Sequence, residues 1–467
     1  MNTRSVTLTF AGIGSAACAL IAQAADFSFA PPIAYQLPPS HAPLAIRLGD
    51  LNGDGKIDAV VPGRNWNYQP GSSSTVAVLR GNGDGTFTAW PSILVLEGSS
   101  EDAAIADVDG DGKKDVVITA SGPHGRLAFA RGHGDGTFDP VVFKADFERS
   151  PHGLTVGDLD NDGDVDVAVL NYVSASTQVV RNDLPGGGNL GLVATKRMGQ
   201  YLGAIPYPQQ ITAADFDGDG RRDLLTTMIG GSRIGLTHFD GTNLREVDWK
   251  PAPIANEQPA VINASVFDID GDGDLDVALP CLMITQSQKV VVFRNDGHGA
   301  MTQQSVFDTG FYFYSWCTTP IDVDGDGRRD LAIGTALTGL VAFMRNETAG
   351  PTAPLALTAQ PVILPYGLFV RDLASADVDN DGDQDLVGVE IAGGTVFTML
   401  NQTQQGGGVA SDMGAKRPAR PPAPPAILKQ HPPMWVNVDV NGDGAVNAID
   451  VALSLEQMAL PTRGGAR

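Results

Sequence analysis

The chain has 467 residues, 42% of them hydrophobic, and a formal net charge of −23 from 54 Asp and Glu against 31 Lys and Arg. That balance excludes the basic footprint of a nucleic-acid binder. It says little about other partners, because much of the acid sits in short aspartate-rich stretches whose charge bound cations would offset.

Residues 1–25 read as a secretory signal. Arg4 gives the positive start, Val6 to Ile21 the apolar run, and Ala22-Gln-Ala24 a small-residue cleavage site near Ala25. The run is too short and interrupted to span a membrane. A secreted, periplasmic or cell-surface location is therefore expected, with no membrane-spanning segment.

Residues 26–37 read as one exposed strand. Residues 42–48 alternate into the stretch Asp50-Leu-Asn-Gly-Asp-Gly-Lys-Ile-Asp58. Oxygen-bearing side chains stand at positions one, three, five and nine, with glycine at six. Alternate residues of a tight loop can face one hard cation, and calcium takes six to eight oxygens. The glycine permits the sharp turn. After this loop comes the buried strand Asp58-Ala-Val-Val, then Thr75–Arg80, then the glycine-rich turn 81–85, then two further strand segments at 86–91 and 93–96.

The loop recurs seven times, at offsets of 57, 51, 57, 53, 54 and 55 residues. The candidate ligands are Asp50, Asn52, Asp54 and Asp58; Asp107, Asp109, Asp111 and Asp115; Asp158, Asp160, Asp162 and Asp166; Asp215, Asp217, Asp219 and Asp223; Asp268, Asp270, Asp272 and Asp276; Asp322, Asp324, Asp326 and Asp330; and Asp377, Asp379, Asp381 and Asp385. A fixed period of this size marks one supersecondary unit repeated. An arginine ends the third strand at Arg80, Arg131, Arg181, Arg294 and Arg345, whereas period four carries His238 nearby. The Asp84-Gly85 and Asp135-Gly136 pairs read as hairpin turns and not as ligands.

The seventh period lacks a fourth strand, and residues 26–37 resemble the missing piece. An N-terminal strand that completes the last blade closes the ring and hides its edges. The expected fold is all-β, a closed seven-bladed β-propeller over 26–404. A Gly/Pro-rich linker follows over 405–434. The tail, 435–467, places Asp439, Asn441, Asp443, Asn447 and Asp450 at positions one, three, five, nine and twelve, before a helical apolar pattern that stops at Pro461. A ligand at position twelve is the mark of an EF-hand-type loop.

The Asp-x-Asp-x-Asp-Gly-x-x-Asp loops, with aliphatic pairs after them and Gly-Asp-Gly-Thr-Phe turns between strands, resemble the FG-GAP/VCBS repeat family of propellers related to the integrin α-subunit head. The resemblance implies that each loop joins the first two strands of a blade and holds one calcium. It implies that position seven binds through its carbonyl, so that Lys56, Lys113, Asp164, Arg221, Asp274, Arg328 and Asp383 are all tolerated there. The tail resembles half of a type I dockerin, with Ala445 at its position seven, which implies calcium binding and a cohesin-like partner. In this family the loops opposite the calcium face are free to bind a partner. Trp66, Tyr68, Tyr312, Trp316 and Tyr366 are candidate ligand-binding residues there, with His152, Tyr172, Tyr207, Tyr314 and Phe369 nearby; the alternative for each is a core position at a strand start. Cys281 and Cys317 fall at one end of the expected propeller, as a disulfide or as two buried thiols. The expected function is an exported, monomeric, non-enzymatic calcium scaffold that binds an extracellular protein or glycan. The alternative is a polysaccharide-active lyase or hydrolase, or its accessory protein.

Overall fold

In the computed structural model the described residues run from 27 to 403, apart from 40, 66–72, 96–97, 123–124, 148–149, 183–189, 198–206, 230–232, 252–258, 283–286, 311–313 and 366. The expected linker and tail, the leader, and the candidates Trp66, Tyr68, Tyr312, Tyr366, Asp439, Asn441, Asp443, Ala445, Asn447 and Asp450 lie outside the described residues. The described chain is all-β, and its strands form seven antiparallel blades.

In blade 3 the order is Pro151–Gly157, Asp166–Asn171, Ser176–Asn182 and Leu190–Arg197, each paired with the next. Blades 2, 4 and 6 repeat it without change of order. The second strands are buried throughout, as in Asp166–Asn171 and Asp330–Thr335, except at Ser121, which ends that of blade 2. Both of their faces are covered by neighbouring blades, so these strands are apolar runs and not alternating ones. In blade 1, Phe87–Ala89 and Ile93–Val95 both pair with Ser74–Gly81. They are one interrupted outer strand. Pro91, which has no N–H to donate, stands at the break.

Blade 7 closes as expected. Ile33–Gln36 pairs with Thr395–Met399, Ile33 opposite Thr398, and Phe29 bridges Asn401. The ring joins the two ends of the described chain by hydrogen bonds, so the edge of Thr395–Met399 is covered and blade 7 has four strands like the others.

The first strands surround the axis, and polar side chains tie them together. Arg47 of blade 1 donates to Asp372 of blade 7 at 2.9 Å and to Asp102 of blade 2 at 2.5 Å. Asp102 in turn accepts the Leu154 N–H of blade 3 at 3.2 Å. Gln210 of blade 4 accepts the Ala264 N–H of blade 5 at 2.5 Å, and Ser265 meets Thr318 of blade 6 at 2.8 Å.

These strands share an irregularity. Register slips between Pro151 and Gly153, Pro208 and Ile211, Ser315 and Cys317, and Val370 and Asp372. In blade 2 the slip falls between Ser100 and Asp102. Glu101, His152, Gln209, Trp316 and Arg371 therefore occupy bulges at matching places in five blades. A bulge re-aims the side chain it carries.

Candidate functional site

Each loop begins where a first strand ends and returns into the second strand. Its geometry is set by its own aspartates. Position one accepts the N–H of the position-six glycine on Oδ2, as Asp107 does from Gly112 at 2.9 Å and Asp322 from Gly327 at 3.0 Å. Position three accepts the N–H of position five, as in Asp109 with Asp111 at 3.2 Å. Position five accepts the N–H of position seven, as in Asp219 with Arg221 at 2.8 Å. Short aspartates fit this role because they bond the backbone two residues on. Gly112 and Gly327 sit at φ 84° and 83°, the left-handed region that glycine adopts at little cost.

Position nine is different from the others. Asp58, Asp115, Asp166, Asp223, Asp276, Asp330 and Asp385 are all buried. Asp330 accepts the Val323 N–H at 3.1 Å on one oxygen and the Asn346 N–H at 2.8 Å on the other. Asp166 does the same with Leu159 and Asn182, and Asp385 with Val378 and Asn401. This residue joins its loop to the end of the third strand, which spacing did not reveal.

The loop carboxylates gather closely. Ligand atoms of Asp107, Asp109 and Asp115, of Asp158, Asp160 and Asp166, and of Asp268, Asp270 and Asp276 lie within 4.8 Å of one another. In blade 4, Asp215, Asp217 and Asp219 do so, as do Asp217, Asp223 and His238. Burial, with like charges nearby, raises the carboxyls of Asp166, Asp276 and Asp330 to about 7 and those of Asp223 and Asp385 to about 6. Such clustering disfavours ionisation unless cations compensate it.

One kind of cation partner is built into this geometry. The third-strand arginines reach back to the loops: Arg80 bonds Asp54 at 2.9 Å, Arg131 pairs with Asp109 at 2.5 Å and Asp111 at 2.9 Å, and Arg345 pairs with Asp324 at 2.6 Å. Arg294 pairs with Asp270. The period of these arginines was visible in the sequence, but their role was not. In blade 4, His238 takes the place and pairs with Asp223.

Other loop oxygens are left without any partner. The Oδ1 atoms of Asp107, Asp158, Asp322 and Asp377 are buried and lack a hydrogen-bond partner. A buried carboxylate oxygen with no donor is costly unless a cation meets it. The donor set, all hard oxygen, fits calcium.

On the opposite face the outcome differs from expectation. Trp316 is completely buried, its ring 4.7 Å from Phe369 and 5.3 Å from the Arg371 guanidinium. It packs with Leu44, Ile262, Leu282 and Ile391 and presents no open face. Tyr172, Tyr207 and Tyr314 pack against the same cluster but stay partly exposed. The disulfide is corrected: Cys281 and Cys317 are free, buried thiols. They pack in separate clusters, Cys281 with Leu279 and Val291, and Cys317 with Trp316 and Val370. Burial pushes the Cys281 thiol up to about 12, so it stays protonated.

Stretches 68–118, 107–169, 215–279 and 268–333 match the family model described as the FG-GAP-like repeat. Each includes at least one of the loops, and the chain carries FG-GAP-like repeats on a seven-bladed propeller. No curated protein matches the chain. Among solved structures, BBS1N in complex with ARL6DN is similar at a TM-score of 0.51 and 11% identity, over 80% of this chain and 97% of that one. A Lactobacillus plantarum protein is similar at a TM-score of 0.51 and 15% identity, over 73% and 95%. At these identities the likeness is one of fold.

Proposed function

We propose that this chain is a calcium-stapled β-propeller that works outside the cytoplasm as a non-enzymatic binding scaffold for a protein or glycan. The observation that carries the calcium reading is the orphaned, buried Oδ1 of position one in blades 2, 3, 6 and 7. Positions one, three, five and nine would hold the ion, with the carbonyl of position seven. The ion supplies charge compensation and locks the loop. The third-strand arginines, which pair with positions three and five, leave this oxygen untouched, so they complement the cation and do not replace it.

A structural role follows from where the loops sit. They turn the chain from first to second strand on one face, and each is tied by its position nine to the third strand. Calcium loops of modest affinity suit an extracellular setting, where such modules bind at roughly 10⁻⁴–10⁻³ M. Among the described residues no helix is long and apolar enough to cross a membrane.

The test is thermal unfolding of the chain in millimolar calcium and in excess EGTA, with calcium titration calorimetry on the EGTA-stripped protein. A large fall in Tm with chelator is expected, together with several sites per chain. An unchanged melting curve would sink the calcium reading.

A further inference from the structure

We propose that the axial cavity of the propeller is a binding site for a small, neutral, hydroxyl-rich ligand, of the class of a mono- or disaccharide. The proposal rests on the scaffold reading above and names its site. The cavity is about 360 Å³ and is walled by the first strands of all seven blades. That volume falls within the range of small-molecule sites.

Five bulges at matching places aim Glu101, His152, Gln209, Trp316 and Arg371 at or beside this wall. A single bulge is ordinary, but five around one axis set the shape of what lies between them. Of these residues all but Trp316 line the cavity.

The charges in the wall compensate one another. Arg47 is held between Asp102 and Asp372. Glu101 is buried, which pushes its carboxyl up, but the paired Arg64 outweighs this and holds it below the usual range. Arg371 lies over the Trp316 ring. Arg47, Arg64 and Arg371 together balance Glu101, Asp102 and Asp372, so the wall carries no net charge to favour a charged ligand over a neutral one.

Neutral hydrogen-bonding groups are left over. Gln209 is 6% exposed and its Nε2 has no hydrogen-bond partner. This buried amide donor, on the cavity lining and without a protein acceptor, is open to an oxygen placed in the cavity. Gln210, Thr212, Asn263 and Thr319 stand on the same wall and add amides and hydroxyls. Alcohol groups, which both donate and accept, match such a lining.

An apolar surface stands beside it. The His152 ring, in the wall, lies 5.4 Å from the Tyr172 ring, which lies 5.5 Å from that of Tyr207. Tyr172 and Tyr207 pack against the core cluster behind the wall, and the His152 ring is the aromatic group on the cavity lining itself.

The experiment uses the whole chain in calcium. Titration calorimetry is run with glucose, galactose, mannose, N-acetylglucosamine and their disaccharides, with glucuronate and glucosamine as charged counterparts. The methyl glycosides and a soluble polysaccharide separate a free sugar from a chain terminus. Binding of a neutral saccharide is expected, at least tenfold tighter than of its charged counterpart. Gln209→Leu should weaken it at least tenfold with unchanged Tm. Because that variant could misfold, the glutamine side-chain amide signals of the unmodified protein are followed by NMR, and the Gln209 signal should shift on saturation. No binding across the panel, preference for a charged sugar, or a Gln209 signal that stays put each overturn the proposal. A protein that binds sugar but ignores EGTA would instead fail the calcium reading alone.

Discussion

Asn346 donates its side-chain amide to the Ile269 carbonyl at 2.8 Å, across a blade boundary. Ile269 is position two of the blade 5 loop, and Asn346 ends the third strand of blade 6. The backbone N–H of Asn346 donates to Asp330, position nine of its own loop. The same relay joins Asn182 to Val108, Asn295 to Phe216 and Asn401 to Val323 at 2.7–2.8 Å. Consecutive loops from blade 4 to blade 7 are thus wired through buried asparagines. Loops linked in this way would not move independently.

Asn346→Ala is therefore expected to cost about 1–3 kcal/mol, because the Ile269 carbonyl loses its donor in a buried place. Asn346→Asp, which keeps the shape but not the donor, should cost at least as much. Equilibrium urea unfolding at fixed calcium measures both. A loss below about 0.5 kcal/mol, the level of an ordinary surface change, would show the relay to be incidental.

Positions five and nine should separate binding from folding. Asp330→Asn places an amide where two N–H donors converge, and should destabilise the chain in EGTA by about 1–3 kcal/mol. Asp326 is exposed and bonds only within its own loop and to Arg328. Asp326→Asn should leave stability in EGTA nearly unchanged and weaken calcium binding at that loop. Equal losses in EGTA for the two variants would contradict the division of roles.

In blade 1 the third strand ends with Gly81, and in blade 2 Gly132 follows the strand Gly125–Ala130, each at the place of the asparagine. A Cβ added there would stand 2.0 Å from the Ile57 carbonyl oxygen and 1.9 Å from that of Lys114. Backbone lies in the way, so the chain itself must shift. Gly132→Ala should cost about 1–3 kcal/mol or more. A thermal unfolding midpoint unchanged within a degree would refute the close approach.

His41 gives a pH signature. Burial lowers its pKa from 6.5 to about 4, against a smaller opposing contribution from the Val61 backbone. The unfolded chain takes up the proton near pH 6.5, whereas the folded chain does not until about pH 4. Stability from this residue is full above pH 6.5 and is lost as pH falls toward 4. The loss amounts to about 3 kcal/mol. Loop carboxylates titrate too, so the readout is the difference between the protein and His41→Asn, measured at pH 7 and pH 4.5. A difference that does not change with pH would rule out a neutral, buried His41.

The propeller was legible because its signals are local and repeated. The loop at Asp107 has six copies, and the strand after each copy is an apolar run flanked by glycine and aspartate. Even the displaced strand at Ile33–Gln36 could be found, because the seventh period visibly lacked a partner. The aromatic face was not legible in the same way. Trp316 begins a first strand at a bulge, and whether such a residue faces solvent or the core depends on a one-residue shift that the letters do not show. For Cys281 and Cys317, adjacency of blades left pairing open; the side chains point into different inter-blade clusters.

The sequence by itself determined the all-β class and the residues that line each loop, since each depends on spacing within a few residues, and the period and ring closure, since one local pattern repeats and its seventh copy lacks a strand. Only the tertiary structure decided which oxygens of those loops are left over and which residues bridge blades. It also decided what faces the axis. Those outcomes depend on strands some 50 to 80 residues apart, as in the 77-residue span from Ile269 to Asn346. Burial and hydrogen-bond satisfaction are settled there by packing, which no local pattern encodes.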